Sequence, residues 1–131
     1  MSVFKGCATA LVTPFTTDGV DFDAFGKLID FQIENGVDAL VIVGTTGEPA
    51  TMTKAEKLAV IDFAVKRIAK RVPTIVGTGG NNTAEVIAYS NEVEKLGADA
   101  LLIVTPYYNK CTQAGLIAHF TAIADRVNTP I

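Results

Sequence analysis

The chain has 131 residues, 49% apolar and 19% charged, with a mean hydropathy of +0.34, which fits one well-packed domain rather than a disordered segment. Eleven basic against fourteen acidic residues leave a net charge of −3 and a pI near 5.0, which argues against a nucleic-acid partner, since phosphates demand a basic excess. The longest strongly apolar run, Ala39–Val43, is far short of the ~20 residues that span a bilayer. No basic–apolar–small signal pattern opens the chain, so a cytoplasmic protein without a membrane partner is expected.

Four apolar runs, Cys7–Val12, Ala39–Val43, Thr74–Gly77 and Ala100–Val104, read as parallel strands buried on both faces, because they are nearly continuous in Val, Ile, Leu and Ala. Helical period fills the stretches between them. Phe22, Phe25, Ile29 and Ile33 mark the first helix, which Gly36 is placed to stop. The second opens on a capping box, Thr53-Lys54-Ala55-Glu56, and should bury Leu58, Ile61, Val65 and Ile68. The third opens in the same manner at Asn82-Thr83-Ala84-Glu85 and carries Val86, Tyr89, Val93 and Leu96 up to Gly97. Leu116, Phe120, Ile123 and Val127 give the fourth its stripe. Strands alternating with helices at these lengths imply right-handed βαβ units and a parallel sheet.

An internal echo narrows the architecture. Gly36-Val37-Asp38-Ala39-Leu40-Val41-Ile42-Val43 returns 61 residues later as Gly97-Ala98-Asp99-Ala100-Leu101-Leu102-Ile103-Val104. That interval is about two βα units, and in a (β/α)8 barrel alternate strands share interior layers. A doubly wound sheet supplies no such reason. The chain also ends as Arg126-Val127-Asn128-Thr129-Pro130-Ile131 repeats the helix-to-strand transition of Arg71-Val72-Pro73-Thr74-Ile75. A full barrel takes about 250 residues. The expected fold is therefore α/β, the first four βα units of a (β/α)8 barrel, with residues 1–131 as its N-terminal half. Such a half leaves edge strands unpaired and inward residues uncovered, which predicts self-association.

In parallel α/β folds the chemistry sits beyond the carboxyl ends of the strands. Four loops lie there: Thr13-Pro14-Phe15, Gly44-Thr45-Thr46-Gly47-Glu48, Thr78-Gly79-Gly80-Asn81 and Thr105-Pro106-Tyr107-Tyr108-Asn109-Lys110. Hydroxyls and glycines dominate them, a lining that binds a small anion and passes protons along hydroxyls. The glycine loop lacks a P-loop's Gly-Lys-Ser/Thr ending, so chain turning and capping remain the plain alternative for it. Tyr107 and Tyr108 are adjacent and face different sides, so at least one should meet the cavity or a partner; simple core-edge packing is the alternative. Glu48 suits an acid or base, or a loop brace, and Asn81 with Glu85 suits a helix start.

Cys7, Cys111 and the lone His119 form no metal-spaced cluster, and the thiols are expected to be free and buried. A Schiff base needs a buried lysine at a strand end. Lys27, Lys54, Lys57, Lys66, Lys70 and Lys95 fall on helical segments, Lys5 precedes the first strand, and only Lys110 lies at the appropriate end.

Ala10-Leu11-Val12-Thr13-Pro14-Phe15, Val43-Gly44-Thr45-Thr46-Gly47-Glu48, Gly77-Thr78-Gly79 and Val104-Thr105-Pro106-Tyr107-Tyr108-Asn109 together resemble the dihydrodipicolinate synthase family of pyruvate-dependent class I aldolases. The superfamily also holds N-acetylneuraminate lyase, whose corresponding loop usually reads Gly-Ser-Thr-Gly-Glu. The resemblance runs over the whole chain. It implies a cytoplasmic homotetrameric lyase, free of cofactor and metal, that joins pyruvate to aspartate semialdehyde through a lysine Schiff base in lysine and diaminopimelate biosynthesis. By motif, Thr46 would hold the pyruvate carboxylate, Thr45 would sit mid-way in a Tyr–Thr–Tyr proton relay, and Tyr108 would be lent across a dimer interface. Ala50, Asn81, Glu85 and Tyr107 match positions where some members bind inhibitory L-lysine. Lys57 replaces the histidine of strongly lysine-sensitive members, which implies weak feedback. The family's Schiff-base lysine, second relay tyrosine and substrate-greeting arginine fall beyond Ile131, so this chain alone is expected to be inert. Two alternatives stay open: another pyruvate-dependent lyase of the superfamily, and a non-catalytic flavodoxin-like binding module, which requires the strand order to reverse.

Overall fold

The computed structural model describes residues 2–131. Its elements in chain order are β1 (Ala8–Ala10), β2 (Phe15–Thr16), β3 (Gly19–Val20), α1 (Phe22–Glu34), β4 (Ala39–Ile42), α2 (Lys54–Ile68), β5 (Thr74–Gly77), α3 (Thr83–Leu96), β6 (Ala100–Leu102) and α4 (Gln113–Ala124). The main sheet runs β1-β4-β5-β6, and each neighbouring pair is parallel. Strand order never reverses, so the flavodoxin-like alternative fails and four consecutive βα units of a barrel remain.

The pleat sorts the strand residues onto two faces. Leu40, Ile42, Val76 and Leu101 join Phe25, Ile29, Ile61, Ile68, Val93 and Ile123 in the main core between sheet and helices. Ala39, Val41, Ile75 and Ala100 form a smaller cluster on the opposite, barrel-interior face, where Phe4 and Ala8 pack against it. The N-terminal segment therefore plugs the lower interior. Toward the carboxyl ends of the strands that face is open, with Val12 50%, Leu102 47% and Val104 46% exposed.

The helices begin where their caps dictate. Asp21 accepts from the Ala24 N–H at α1, and the α2 capping box is complete, with Thr53 and Glu56 satisfying each other's backbone donors. At α3 only half of the expected arrangement forms: Asn82 accepts from the Glu85 N–H at 3.4 Å. The buried stripes are shifted from the expected ones. Val60, Ile61, Ala64 and Ile68 face the core on α2 and Val86, Ser90 and Val93 on α3, whereas Leu58, Val65, Tyr89 and Leu96 lie half-buried. The small residues Ala64 and Ser90 let each helix approach the sheet closely, and the longer side chains flank it against neighbouring helices.

The sequence echo has a structural cause. The Asp38 N–H donates to the Cys7 carbonyl while its carboxylate accepts the Cys7 N–H at 2.7 Å. Asp99 repeats this on Thr74, its N–H donating to the Thr74 carbonyl and its carboxylate accepting the Thr74 N–H, both at 2.9 Å. Each repeat thus clamps the start of a neighbouring strand, β1 in one case and β5 in the other. Gly36 and Gly97, at φ +83° and +97°, make the left-handed exit from the preceding helix that the clamp requires.

Two expectations need correction, and one element was not anticipated. The strands are shorter than the apolar runs: β4 stops at Ile42 because Val43 turns to φ +56°, and β6 stops at Leu102. The β2–β3 hairpin went unforeseen, although Asp18-Gly19 beside apolar residues signals one, with Gly19 at φ +126°. Both cysteines are free but exposed rather than buried, Cys7 ahead of β1 and Cys111 in the loop before α4.

Candidate functional site

The loops beyond β4, β5 and β6 meet at one end of the sheet. After Val43 the chain folds through two short helical turns, Thr45–Gly47 and Pro49–Thr51. Thr13, 4% exposed, ties this loop to the end of the first strand by donating its hydroxyl to the Gly47 carbonyl at 2.8 Å. A Cβ on Gly47 would press Thr13 Oγ1 at 3.2 Å and the Leu11 carbonyl at 3.3 Å, so glycine suits the close approach of the two segments. Thr13 is a site-building residue that sequence reading placed only within a loop, because its partner lies 34 residues away.

A cavity of about 670 Å³ opens beside this loop, and Thr45, Glu48, Ala50, Lys57 and Tyr107 are among its lining residues. Thr45 and Thr46 are both exposed, and no intrachain partner for either hydroxyl is seen among the described residues. Thr46 stands next to the cavity rather than in its lining. Two adjacent hydroxyls with free donor and acceptor capacity can hold a carboxylate and relay a proton. Glu48 is a turn residue at φ +56° whose carbonyl accepts from the Thr51 hydroxyl at 2.9 Å. That geometry fits the bracing role better than acid or base chemistry.

Tyr107 and Tyr108 diverge as expected. Tyr107 lines the cavity, whereas Tyr108 is 94% exposed and held at φ +71°. A non-glycine residue in that region costs about 1–3 kcal/mol and persists only when its surroundings impose it. Within this chain Tyr108 does not reach Thr45; its phenol is presented outward.

A second cleft, about 400 Å³, brings Asn81, Glu85 and Tyr107 together with Lys54, Lys57 and Tyr89. Asn81 Nδ2 donates to the Tyr107 carbonyl at 3.3 Å. Ala50 lies across the adjoining cavity, which shares Lys57, Tyr89 and Tyr107 with this cleft. Lys57 Nζ stands 5.5 Å from the centroid of the Tyr89 ring, a cation–π distance. The Tyr89 hydroxyl is buried without a partner, and burial first, then the charge of Glu92, pushes the phenol well above its usual value. The Lys57–Tyr89 pair was missed because sequence reading assigned Tyr89 to the helix stripe.

The lysines are disposed nearly as expected. Lys54, Lys66 and Lys70 pair with Glu92, Asp62 and Asp99. Lys70 lies just past α2 rather than on it, and its ammonium also reaches the Gly97 carbonyl at 2.8 Å. Lys110 is exposed in the loop before α4. His119 is buried, its Nδ1 2.8 Å from the Thr83 hydroxyl, and it joins α4 to α3. Among the described residues no cluster of His, Cys, Asp or Glu could hold a metal ion, and no helix is long and apolar enough to cross a membrane.

Comparison with known proteins gives this geometry a setting. The chain is 53% identical over 131 residues to 4-hydroxy-tetrahydrodipicolinate synthase of Thermoanaerobacter sp. (strain X514), covering 100% of this chain and 44% of that protein. The crystal structure of dihydrodipicolinate synthase from Aquifex aeolicus superimposes with a TM-score of 0.94 at 49% identity, over 98% of this chain and 44% of that one. The chloride-inhibited dihydrodipicolinate synthase of Acinetobacter baumannii, complexed with pyruvate, gives 0.93 at 47% identity, over 95% and 43%. The chain thus spans less than half the length of these relatives. The profile of the Dihydrodipicolinate synthetase family matches residues 3–131, and the chain belongs to that family.

Proposed function

We propose that this chain forms the N-terminal half of a 4-hydroxy-tetrahydrodipicolinate synthase, a lyase-class enzyme that condenses pyruvate with aspartate semialdehyde. The observation that carries the reading is the Thr45–Thr46 pair, two unspent hydroxyls at the carboxyl end of β4 beside a 670 Å³ cavity. In this reading Thr46 donates to the pyruvate carboxylate, and Thr45 relays a proton between two phenols. Tyr108 serves a neighbouring subunit, which fits its 94% exposure and its fixed left-handed backbone. A residue that acts across an interface must project from its own chain, and a costly backbone pose such as this one is kept where function uses it.

The amine that forms the imine with pyruvate comes from outside these residues. Every lysine described lies on a helix or its flank, ahead of β1, or, for Lys110, in an exposed loop. None of them is buried, so none has the desolvated setting at a strand end that activates a Schiff-base lysine. The chain therefore contributes substrate grip and proton transfer, while its complement contributes the nucleophile. Within the intact enzyme the assembly is a homo-oligomer.

Kinetics of the intact enzyme test this division. Thr46→Val should raise the KM for pyruvate at least about tenfold, the worth of one charge-assisted hydrogen bond. Tyr108→Phe and Thr45→Val should instead lower kcat by about 10²–10⁴-fold, as loss of a proton relay does. Unchanged kinetics in all three would remove the assignment. The acceptor is tested in the same assay: a sugar-acid aldehyde that outcompetes aspartate semialdehyde would point to another pyruvate-dependent lyase.

A further inference from the structure

We infer that Gly77 and Gly79 are positioning residues that aim the two halves of the site, an inference that rests on the pyruvate-enzyme reading above. They lie two apart at the end of β5 and so share the face away from the helices, while Thr78 between them turns to α3. Thr78 is 2% exposed, its hydroxyl accepts from Ser90 Oγ at 2.9 Å, and its N–H donates to the Leu102 carbonyl at 3.1 Å. The segment is thereby pinned on two sides.

Each glycine seats a different backbone. A Cβ on Gly77 would run into the Val43 carbonyl oxygen and stand 2.8 Å from its carbon and 3.0 Å from Gly44 Cα. A Cβ on Gly79 would stand 2.5 Å from the Val104 nitrogen and 2.7 Å from its Cγ1. Gly77 thus receives the turn that leads into Thr45 and Thr46, and Gly79 receives the strand end that leads into Tyr107 and Tyr108. The Val43 turn shows that the seat is used. A β-branched residue at φ +56° is costly, and Val43 is held there, 2% exposed, directly against Gly77. Neither glycine has a positive φ, so alanine fits the backbone at both positions and only the space is missing.

The two seats predict different kinetic patterns. In the intact enzyme Gly77→Ala should raise the KM for pyruvate about tenfold or more and lower kcat as well, since the turn it seats carries both Thr46 and Thr45 and a displacement of about 1 Å is severe. Gly79→Ala should lower kcat about tenfold or more while the pyruvate KM stays within about twofold. Gly26→Ala is the packing control: its Cβ would press the Phe63 ring at 3.3 Å where α1 meets α2, and it should leave KM and kcat unchanged whichever way Tm moves. Should Gly77→Ala fail to fold, Ser90→Ala decides, because it frees Thr78 without touching the site. It should raise pyruvate KM and lower kcat, each about two- to fivefold. A Ser90→Ala enzyme that melts lower yet keeps wild-type kinetics would overturn the inference, as would a folded Gly77→Ala enzyme with wild-type KM. Borohydride trapping of a pyruvate imine in the wild type separates the two ideas: its absence sinks the enzyme reading, and its presence with unaffected variants sinks the positioning role alone.

Discussion

Lys57 and Tyr89 show how one side chain can set the chemistry of a cleft. The Lys57 ammonium lies over the Tyr89 ring in the same space as Asn81, Glu85 and Tyr107, and no carboxylate pairs with it among the described residues. A ligand that brings its own ammonium meets this like charge in the same cleft, and like charges at close range repel. L-lysine is therefore expected to inhibit the intact enzyme weakly or not at all. Clear inhibition at low concentration, read from initial rates against lysine, would reject this. The motif residues at this scale were legible because hydroxyls and glycines at strand ends carry a chemical signature. Thr13, Ser90 and the strained Val43 were not, since their roles exist only through partners distant in sequence: Gly47, Thr78 and Gly77.

Glu94 on α3 fastens the last residues to the body of the fold. Its carboxylate accepts from Asn128 Nδ2 at 2.8 Å and from the backbone N–H groups of Asn128 and Thr129 at 2.9 and 3.2 Å. The Pro130 carbonyl then receives the Leu101 N–H at 2.8 Å, which lays the tail along β6. The Asn128 side chain first, then the backbone donors, hold the Glu94 carboxyl below its ordinary value of 4.5. A depressed carboxylate contributes its full stabilisation above the ordinary value and loses it as pH falls through the lower folded-state value. Amide protection at Asn128 and Thr129, taken relative to the intrinsic exchange rate at each pH, should accordingly fall below pH 4.5 and be low at all pH values in Glu94→Gln. Equal protection in that variant at neutral pH would refute the clamp. The four βα units and the echo were readable at this scale, because burial on both faces and the Asp38 and Asp99 clamps leave a repeated pattern. The hairpin and the shifted stripes escaped, since two-residue strands carry too little pattern and close helix approach selects small residues that period-reading ignores.

The whole molecule has one finished face and one open one. Its helix side is packed, whereas Val12, Leu102 and Val104 remain about half exposed at the interior, and among the described residues β1 pairs only with β4. Full burial of an exposed Val or Leu is worth about 1.5–3 kcal/mol, so each of these half-exposed residues gains about half of that when covered, and an open edge offers ready-made backbone partners. The 131-residue chain alone should thus associate at micromolar concentration; a monomer by light scattering would contradict this. The central claim is that grip and relay lie in this half while the nucleophile lies in its complement. The most direct measurement is borohydride reduction of the isolated chain with pyruvate, followed by intact mass and peptide mapping. The expected result is no saturable adduct on the isolated chain. A stoichiometric adduct on a single lysine, Lys110 above all, would place the nucleophile within these residues and contradict the division.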